Sequence, residues 1–528
     1  MASFLSVLTS FEDTSSAGIT FVNHGVVDTL SYADLCARTP QVAGQLSAVG
    51  ATQGRPVVFQ LTDNRAIVEL FWGCAWLGAV PVIVPPALSA QDEARVAGAL
   101  AMLSGALVLV DDRTASHVAS DAAVLAADVR SLEAPAAPVP CEATGDTVRL
   151  IQMSSGSTGQ PKGIVLDEET LMAAMAASVP ARQDKLTNSM LTWLPLTHNF
   201  SLLGFHIYAM YRGYPTVLMA TSDVIANPYT WFDAVTRYRP TITVCPNFGF
   251  VHVLRTLRLR GVPEGVTYDL SSIHKLISAS EPIDAATARL FAQRMAPFGL
   301  RPNAIVAAYG MSESCLQITT TGIYEPLATV NLERSSVRIG ASYDEIARED
   351  GSEFVSVGKA VPGMEVSLRD DEGHALPDDV VGEIFIRGSS LTSESVTPAG
   401  RVAHALTEDG LFATGDIGLI HEGNLYVVAR KKDVIFVNGK NYYSPDLEGL
   451  LMAELDQDSV VLGRTNPTTG EEEIVVFVPE DEETAQDADV VRTLAMRAGV
   501  SVGQVVRIGA IPRAANGKKM RRELEVLL

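Results

Sequence analysis

Short, almost uniformly apolar segments recur along this chain and alternate with helical patterns. The apolar segments are rich in Val and Ile and cover residues 56–61, 80–85, 106–111, 216–220, 241–246 and 304–310. Strands that are buried on both faces of a sheet have this composition. Helical patterns, such as those of residues 64–78 and 284–295, lie between them. The alternation predicts an α/β fold in which helices cover parallel sheets.

The pattern changes after about residue 350, where short strand-like segments are separated by tight turns. Residues 363–377, 381–388 and 423–429 predict a smaller, more antiparallel β unit, and the end of the chain again mixes strand with helix. The acidic stretch 480–489 is interpreted as a solvated loop. A single hydrophobic core stops growing near ~250–300 residues, so 528 residues predict two or three structural units.

Charge and cysteine content exclude several classes of protein. The formal net charge of −22 disfavours binding to nucleic acid or to anionic membranes. The five cysteines are odd in number and lack CxxC spacing, which argues against a disulfide framework and a zinc site. The first residues lack a basic region, and the longest apolar stretches, 71–86 and 96–110, are too short to span a bilayer. We therefore expect a cytoplasmic protein without a membrane span.

Residues 151–166 combine many hydrogen-bond donors with one lysine between two apolar segments. The hydroxyls come from Ser154, Ser155, Ser157 and Thr158, the glycines are Gly156, Gly159 and Gly163, and the cation is Lys162. Backbone and hydroxyl donors around a positive charge suit a polyphosphate. The Walker pattern is absent, and a Ser/Gly-rich surface turn is the alternative interpretation.

Four further segments follow this loop: 307–314 (AAYGMSES), 411–418 (LFATGDIG), 428–448 and 512–524 (PRAANGKKMRREL). In this order, the five segments resemble the signatures of the ANL superfamily of adenylate-forming enzymes. The resemblance implies that a large domain of residues 1–429 binds ATP, magnesium and an acyl substrate. It also implies that residues 430–528 form a small, mobile α+β domain.

The resemblance also implies a role for individual residues. Glu313 would hold magnesium, Asp416 would accept from the ribose hydroxyls with Arg430 nearby, and Lys432 would be the hinge. Lys518 would be the catalytic lysine, bridging the attacking carboxylate and the α-phosphate, and Lys162 would assist at the leaving pyrophosphate. The rest of the nucleotide site would comprise the loop residues from Ser154 to Gly159, then Ala279, Ser280, Glu281, Ala308, Tyr309, Gly310, Met311 and Ser312. Taken singly, Tyr309 is better explained as a core residue, and Glu313, Asp416 and Lys518 as solvated surface charges; the ordered set of motifs favours the functional roles.

Residues 191–219 resemble the fatty acyl-AMP ligase branch of the superfamily, which loads acyl groups onto carrier proteins. The matching residues are Trp193, Leu194, Pro195, His198, Leu202 and Gly204, whereas Asn199 stands where that branch usually has Asp. The resemblance places His198 near the substrate carboxylate, and a structural histidine is the alternative. The acyl group is expected to contact mainly apolar side chains, namely Phe200, Phe205, Tyr208, Asn247, Phe248 and Phe250.

Residues 322–356 look like an insertion relative to ordinary acyl-CoA ligases. Val330, Leu332, Val337, Ile339 and Ile346 could dock it on the large domain, so that it braces the two domains and hinders the use of CoA. A tolerated surface loop is the alternative. A second expectation is that the basic residues of 505–528 steer an acidic carrier protein; they are Arg507, Arg513, Lys518, Lys519, Arg521 and Arg522.

The sequence therefore predicts a magnesium- and ATP-dependent ligase that forms acyl-AMP and then loads the phosphopantetheine thiol of an acyl carrier protein. The resemblance suggests a place in polyketide, lipid or other secondary-metabolite biosynthesis. An acyl-CoA synthetase is the first alternative. The second, from another class, is a module that binds adenylate without turnover.

Overall fold

Nine strands form the largest sheet, and six adjacent members of it are parallel. The computed structural model describes residues 3–11, 17–133, 137–154, 162–182, 188–333, 338–343, 351–437, 440–455, 457–466, 472–480, 485–514 and 517–528. In spatial order the nine strands are Lys359–Ala360, Thr319–Thr320, Ile305–Tyr309, Lys275–Ser278, Ile242–Val244, Met190–Thr192, Thr216–Met219, Gly18–Asn23 and Val26–Ser31. The parallel set runs from Ile305–Tyr309 to Gly18–Asn23, and the remaining strands pair antiparallel.

A second, fully parallel sheet lies earlier in the chain and contains four strands. Its order is Val80–Ile83, Pro56–Gln60, Leu107–Val110 and Ala123–Leu125. All six apolar segments of the sequence therefore form strands in parallel sheets, and the predicted α/β class is confirmed.

The antiparallel part of the molecule comprises a five-stranded sheet, a four-stranded sheet and smaller ribbons. The first contains Ala375–Leu376, Met364–Arg369, Gly382–Gly388, Phe412–His421 and Asn424–Arg430, and the second Gly400–Ala403, Glu394–Thr397, Lys162–Asp167 and Val148–Ser154. The two-stranded ribbons are Thr329–Leu332 with Ser352–Val355 and Val434–Val437 with Lys440–Tyr443. A mixed three-stranded sheet near the end contains Val460–Thr465, Glu472–Pro479 and Val502–Ile508, of which the first two pair antiparallel and the last two parallel.

Helices cover these sheets and carry their apolar faces inward. They are Phe4–Thr9, Tyr32–Ala48, Asn64–Leu77, Ala90–Met102, Ala126–Ser131, Glu168–Arg182, Asn199–Ser201, Tyr208–Arg212, Thr221–Ala226, Tyr229–Tyr238, Asn247–Arg260, Ala285–Met295, Ser444–Leu455, Asp487–Ala498 and Arg521–Glu525. A π-helical segment, Leu202–Ile207, joins two of them, and short 3₁₀ turns cover Ala115–His117, Ala296–Phe298, Ser312–Ser314 and Lys431–Asp433. In the part of the chain that the structure describes, no helix combines the length and hydropathy needed to cross a bilayer.

The acidic stretch 480–489 is only partly the loop that was predicted. Residues 481–484 lie outside the described residues, and the helix Asp487–Ala498 already begins within the stretch. Asp487 and Asp489 occupy the first turn of that helix, where carboxylates interact favourably with its positive end. The prediction of a loop is therefore wrong for residues 487–489.

Candidate active site

Four neighbouring parallel strands of the nine-stranded sheet end at one edge, and each is followed by a chemically informative residue. The strands are Met190–Thr192, Ile242–Val244, Lys275–Ser278 and Ile305–Tyr309, followed respectively by His198, Phe248, Glu281 and Glu313. The carboxyl ends of parallel strands meet at the same edge, which is where ligands bind in α/β proteins. The fold thus gathers residues from motifs that are far apart in the sequence.

Asp416 is buried and lies at the centre of a hydrogen-bonded triad. It is the cross-strand partner of Arg430, whose Nε donates to Asp416 Oδ1 at 2.9 Å. The hydroxyl of Tyr309 donates to Asp416 Oδ2 at 2.6 Å. Burial, reinforced by the negative charge of Asp416, raises the pKa of Tyr309 well above its ordinary value. The phenol therefore stays protonated, and the predicted adenine and ribose residues are in direct contact with each other.

Lys162 and Glu313 meet across the site as an ion pair, with 2.6 Å between Nζ and Oε1. Lys162 begins the strand Lys162–Asp167, and Ser154 ends its neighbour Val148–Ser154, so these two residues flank the predicted phosphate loop. The loop residues Ser155, Gly156, Ser157, Thr158 and Gly159 lie outside the described residues.

The surroundings of Glu313 fit a hard cation. Glu313 is buried, and its carbonyl accepts from the amide of Thr392 at 2.8 Å. The hydroxyl of Thr392 is also buried and finds no hydrogen-bond partner among the described residues. A buried carboxylate supplies the hard oxygen ligand that Mg²⁺ takes.

A sharp reversal of the chain holds Glu313 in place. A Cβ on Gly310 would lie 1.9 Å from the carbonyl oxygen of Leu316, so no larger residue fits there. Cys315 adopts a φ of +65°, and its carbonyl accepts from Asn199 Nδ2 at 3.3 Å. The amide that replaces the usual Asp therefore ties the segment of His198 to the segment of Glu313. Ala308 is buried beside this turn, whereas Met311 and Ser312 are partly exposed.

A cleft with about 210 Å³ of empty space lies between these elements. Its described lining residues are Leu194, His198, Pro246, Ser280, Glu281 and Lys518. The lining therefore combines two apolar residues with one imidazole, one carboxylate and one ammonium. Ser280 adopts a left-handed φ of +76°, which is uncommon for a residue with a side chain and often marks a functional segment. Ala279 precedes it in the buried interior.

His198 faces this cleft as a neutral imidazole. Its Nδ1 accepts from the amide of Phe200 at 3.2 Å, which leaves Nε2 as the protonated nitrogen. Burial, and then the positive charge of Lys518, lower the pKa of His198 to about 4. A neutral donor at this position can hydrogen-bond a carboxylate without forming a salt bridge. Its hydrogen bond to Phe200 also gives His198 the structural role that was its alternative.

Lys518 brings the far end of the chain into the cleft. Lys518 is exposed as a whole residue, yet the pKa of its ammonium is lowered. Desolvation is the main cause, and the positive charge of Arg430 acts in the same direction. The negative charge of Asp416 raises the pKa. Burial raises the pKa of Glu281, although the amide of Phe248 donates to it at 2.7 Å and three cations, led by Arg513, favour its charge. These mutual influences show that Lys518, Glu281 and the Asp416–Arg430 pair share one electrostatic environment.

Ion pairs within residues 448–521 hold the loop that carries Lys518. Lys519 Nζ lies 2.9 Å from Glu448 Oε2 and donates to the carbonyl of Ser459 at 2.6 Å. Arg521 also binds Glu448, and Arg513 pairs with Asp458 at 2.6 Å. We call these five residues, Glu448, Asp458, Arg513, Lys519 and Arg521, the loop clamp.

The loop clamp was not predicted from the sequence. The signal in the sequence is Glu448, an acidic residue that lies among the buried residues Ser444, Leu447 and Leu451 of one helix. Such a residue is costly to bury without partners. The clamp also corrects the prediction of a free basic surface on residues 505–528. Arg513, Lys519 and Arg521 bind carboxylates in the clamp, and Arg507 binds Asp487. The charge that was expected to steer a carrier protein is thus largely neutralised.

The predicted acyl-binding aromatics divide into two groups. Phe248 is half-buried, and Asn247 accepts from the amide of Asp284 at 3.0 Å near the cleft. Phe205, Tyr208 and Phe250 are fully buried in the core, and Phe200 packs edge-on against Phe205 at 5.8 Å between ring centroids. None of these six residues is among the described lining residues of the cleft, so the structure does not place the predicted acyl-binding side chains there.

The segment 322–356 docks by the apolar residues of its described part. Its strands Thr329–Leu332 and Ser352–Val355 form a ribbon, and Val330 and Leu332 are buried in one cluster with Ile417, Val428 and Tyr443. Ile339 packs against the same cluster, whereas Val337 and Ile346 lie outside the described residues. Arg289 on the helix Ala285–Met295 binds Glu353. The cluster includes residues on both sides of the predicted hinge, Lys432, which lies in the turn Lys431–Asp433.

Comparison with known proteins decides the family. Residues 15–394, more than half of the chain, match the family described as AMP-binding enzyme. The chain belongs to the AMP-binding enzyme family. It is an adenylate-forming ligase of the ANL superfamily, and the family uses ATP.

Relatives of this AMP-binding enzyme align over nearly its whole length. A Caulobacter vibrioides protein provisionally named an acyl-CoA synthetase is 28% identical, over 97% of this chain and 94% of its own length. The medium-chain-fatty-acid–[acyl-carrier-protein] ligase JamA of Moorena producens is 26% identical, over 95% of this chain and 90% of its own. A structure from studies of fatty acyl-adenylate ligases of E. coli and L. pneumophila has a TM-score of 0.86 at 23% identity, covering 100% of this chain and 98% of that one. The last comparison supports the fold alone.

Proposed function

We propose that this ligase activates an apolar carboxylic acid with ATP and magnesium, and then transfers the acyl group to the phosphopantetheine thiol of an acyl carrier protein. The observation that carries the proposal is the cleft, in which Lys518 from the end of the chain meets His198 and Glu281 from the large sheet. The ion pair Lys162–Glu313 and the triad around Asp416 lie at the same sheet edge. No single motif would bring these groups together.

In the first reaction, the acid attacks the α-phosphorus of ATP and pyrophosphate leaves. Lys518 would stabilise the negative charge at the reacting centre, and the Nε2–H of His198 would hold the attacking carboxylate. Asp416 would accept from the ribose hydroxyls, with Tyr309 against the adenine. Lys162 would bind the leaving pyrophosphate. Magnesium, held by Glu313, would neutralise phosphate charge.

In the second reaction, we propose that residues 430–528 rotate about Lys432 and withdraw Lys518. The departure of the lysine would open a path for a thiol, whose sulfur would attack the acyl carbon of acyl-AMP and release AMP. Two findings support a carrier protein as acceptor: the segment 322–356 shares a buried cluster with residues on both sides of Lys432, and JamA is named as an acyl-carrier-protein ligase. A segment that resists rotation would disfavour the arrangement that free CoA requires. A role in polyketide, lipid or other secondary-metabolite biosynthesis follows from this acceptor as part of the proposal.

The side chains around the cleft bear on the acid. Leu194 and Pro246 give its described lining an apolar surface beside His198 and Lys518. The proposal therefore favours an acid whose carboxylate lies near these two polar groups and whose remaining part is apolar.

An acyl-CoA synthetase is the second candidate, favoured by the name of the Caulobacter vibrioides relative. The deciding experiment measures pyrophosphate release over a panel of carboxylic acids, followed by acyl transfer to CoA and to a holo carrier protein. Faster formation of the carrier thioester supports the proposal. Equal or faster formation of acyl-CoA would replace it with the second candidate, and no turnover with any acid would favour a binding module.

A further inference from the structure

The loop that carries Lys518 packs directly on the ring of Phe248. Gly517 is buried and adopts a φ of +83°. A Cβ added there would lie 2.1–2.3 Å from three carbon atoms of the Phe248 ring, far inside van der Waals contact. Only glycine combines this left-handed backbone with so close an approach. The contact therefore depends on both residues.

Phe248 is itself held firmly from the large-sheet side. Its amide donates to Glu281 Oε1 at 2.7 Å, and its ring meets Trp193 edge-on at 5.6 Å between centroids. Trp193 is anchored in turn, because its Nε1 donates to the carbonyl of Val244 at 2.9 Å. The ring thus presents a fixed apolar surface at the start of the helix Asn247–Arg260.

The loop is held equally firmly on its other side. Arg513 Nη1 donates to the carbonyl of Gly517 at 2.7 Å, and the same guanidinium binds Asp458. Lys519, two residues after Gly517, donates a hydrogen bond to Glu448. Gly517 therefore connects the loop clamp, which belongs to the proposed C-terminal domain, to a ring that belongs to the large domain.

We propose that Phe248 is a positioning residue for the adenylation reaction: its ring is the seat on which Gly517 docks, and this docking places Lys518 in the cleft. The inference rests on the proposed function. Because the two residues belong to parts that would separate in the second reaction, the contact serves the first reaction alone. Loss of the contact should leave each part folded but misplace the lysine.

The test uses Gly517→Ala with a matched control, Gly499→Ala. Gly499 also has a left-handed φ, +63°, but no atom lies within 4 Å of its added Cβ. Both variants carry the backbone cost of alanine in this conformation, and only Gly517→Ala meets the ring. We expect single-turnover formation of acyl adenylate to fall by about 100-fold or more in Gly517→Ala, and to stay within about twofold of wild type in Gly499→Ala. Transfer of the acyl group from supplied acyl-AMP should be unchanged in both.

A second experiment removes the aromatic ring of Phe248. Phe248→Ala in the Gly517→Ala background should recover about tenfold of the single-turnover adenylation rate, because the overlap is gone, without reaching wild type, because the ring is also lost. If Gly517→Ala fails to fold, Phe248→Ala alone serves, and its adenylation rate should fall while its transfer rate is kept. Equal losses in both reactions, an absence of rescue, or an equal loss in Gly499→Ala would overturn the inference. A wild-type enzyme that forms no acyl adenylate would instead refute the proposed function, and the inference with it.

Discussion

Nζ of Lys162 lies 2.6 Å from Oε1 of Glu313, so the proposed phosphate ligand and the proposed magnesium ligand neutralise each other. In the proposed reaction, each group takes a new partner of opposite charge, Lys162 a phosphate and Glu313 a cation. The ion pair would therefore satisfy the buried carboxylate of Glu313 and the partly exposed ammonium of Lys162 before the nucleotide binds. Replacement of either residue leaves its partner unsatisfied.

Glu313→Gln and Asp416→Asn should have separable effects. Glu313→Gln removes a charged oxygen ligand, so we expect the magnesium concentration for half-maximal activity to rise by about tenfold and kcat to fall. Asp416→Asn weakens the ribose contact and leaves Arg430 without its carboxylate, so the KM for ATP should rise by about tenfold or more. Magnesium and ATP titrations of both variants distinguish the effects. Exposed Glu365→Gln is the control, and indistinguishable titrations for the two site variants would contradict the assignments.

Lys518→Ala should abolish formation of the acyl adenylate and spare the transfer of a supplied acyl-AMP to the thiol. A charge that acts only in the first transition state is worth on the order of 3–4 kcal/mol, or a factor of several hundred in rate. Pyrophosphate release and thioester formation, measured separately, check this result. Arg522→Ala removes an exposed charge from the adjacent helix Arg521–Glu525 and serves as the control. Losses of equal size in the two reactions would show that Lys518 is misassigned.

Leu332→Ala should loosen the ribbon of the segment 322–356, because it removes a buried side chain from the cluster shared with Tyr443. We expect the ratio of transfer to CoA over transfer to the carrier protein to rise by about tenfold. The measurement compares both thioesters at equal adenylation rates. Val402→Ala shortens an exposed apolar residue and should leave the ratio unchanged. A ratio that stays constant in Leu332→Ala would indicate that the segment does not govern the acceptor.

Acid stability should depend on His206, which is buried and accepts a hydrogen bond from Trp72 Nε1 at 3.1 Å. Burial lowers the pKa of His206 from 6.5 to about 3. Between these two pH values, the imidazole of His206 is protonated in the unfolded chain and neutral in the folded chain. The free energy of unfolding therefore falls as the pH drops from 6.5 towards 3.

His206→Gln tests this dependence, because the amide oxygen can still accept from Trp72. Urea midpoints across this pH range should decline less steeply in the variant, by the equivalent of about one proton. His374→Gln, on an exposed turn, is the matched control and should follow wild type. Superimposable curves for wild type and His206→Gln would contradict the prediction.

The sequence predicts the α/β class and the members of the site better than it predicts their contacts. The strands 56–61 and 304–310 were found because burial on both faces leaves a local apolar signature. Asp416 and Lys518 were found because each lies in a recognisable motif. The partners of Arg513 and Lys519 were not found, because a basic residue looks the same in sequence whether it faces solvent or binds a distant carboxylate. Phe205 and Phe250 show the same limit, since an aromatic residue can line a cleft or fill the core behind it.

The loop clamp has a consequence for how such an enzyme can diverge. Glu448, Asp458, Arg513, Lys519 and Arg521 all lie after residue 430, so every ion pair of the loop clamp is made within the proposed C-terminal domain. In a chimera joined at Lys432, the C-terminal part would bring Lys518 together with the loop clamp, and the recipient would have to supply an aromatic ring opposite Gly517. The two parts would then be able to change independently, with new acid preferences arising in the larger part and the proposed catalytic lysine inherited with the smaller one.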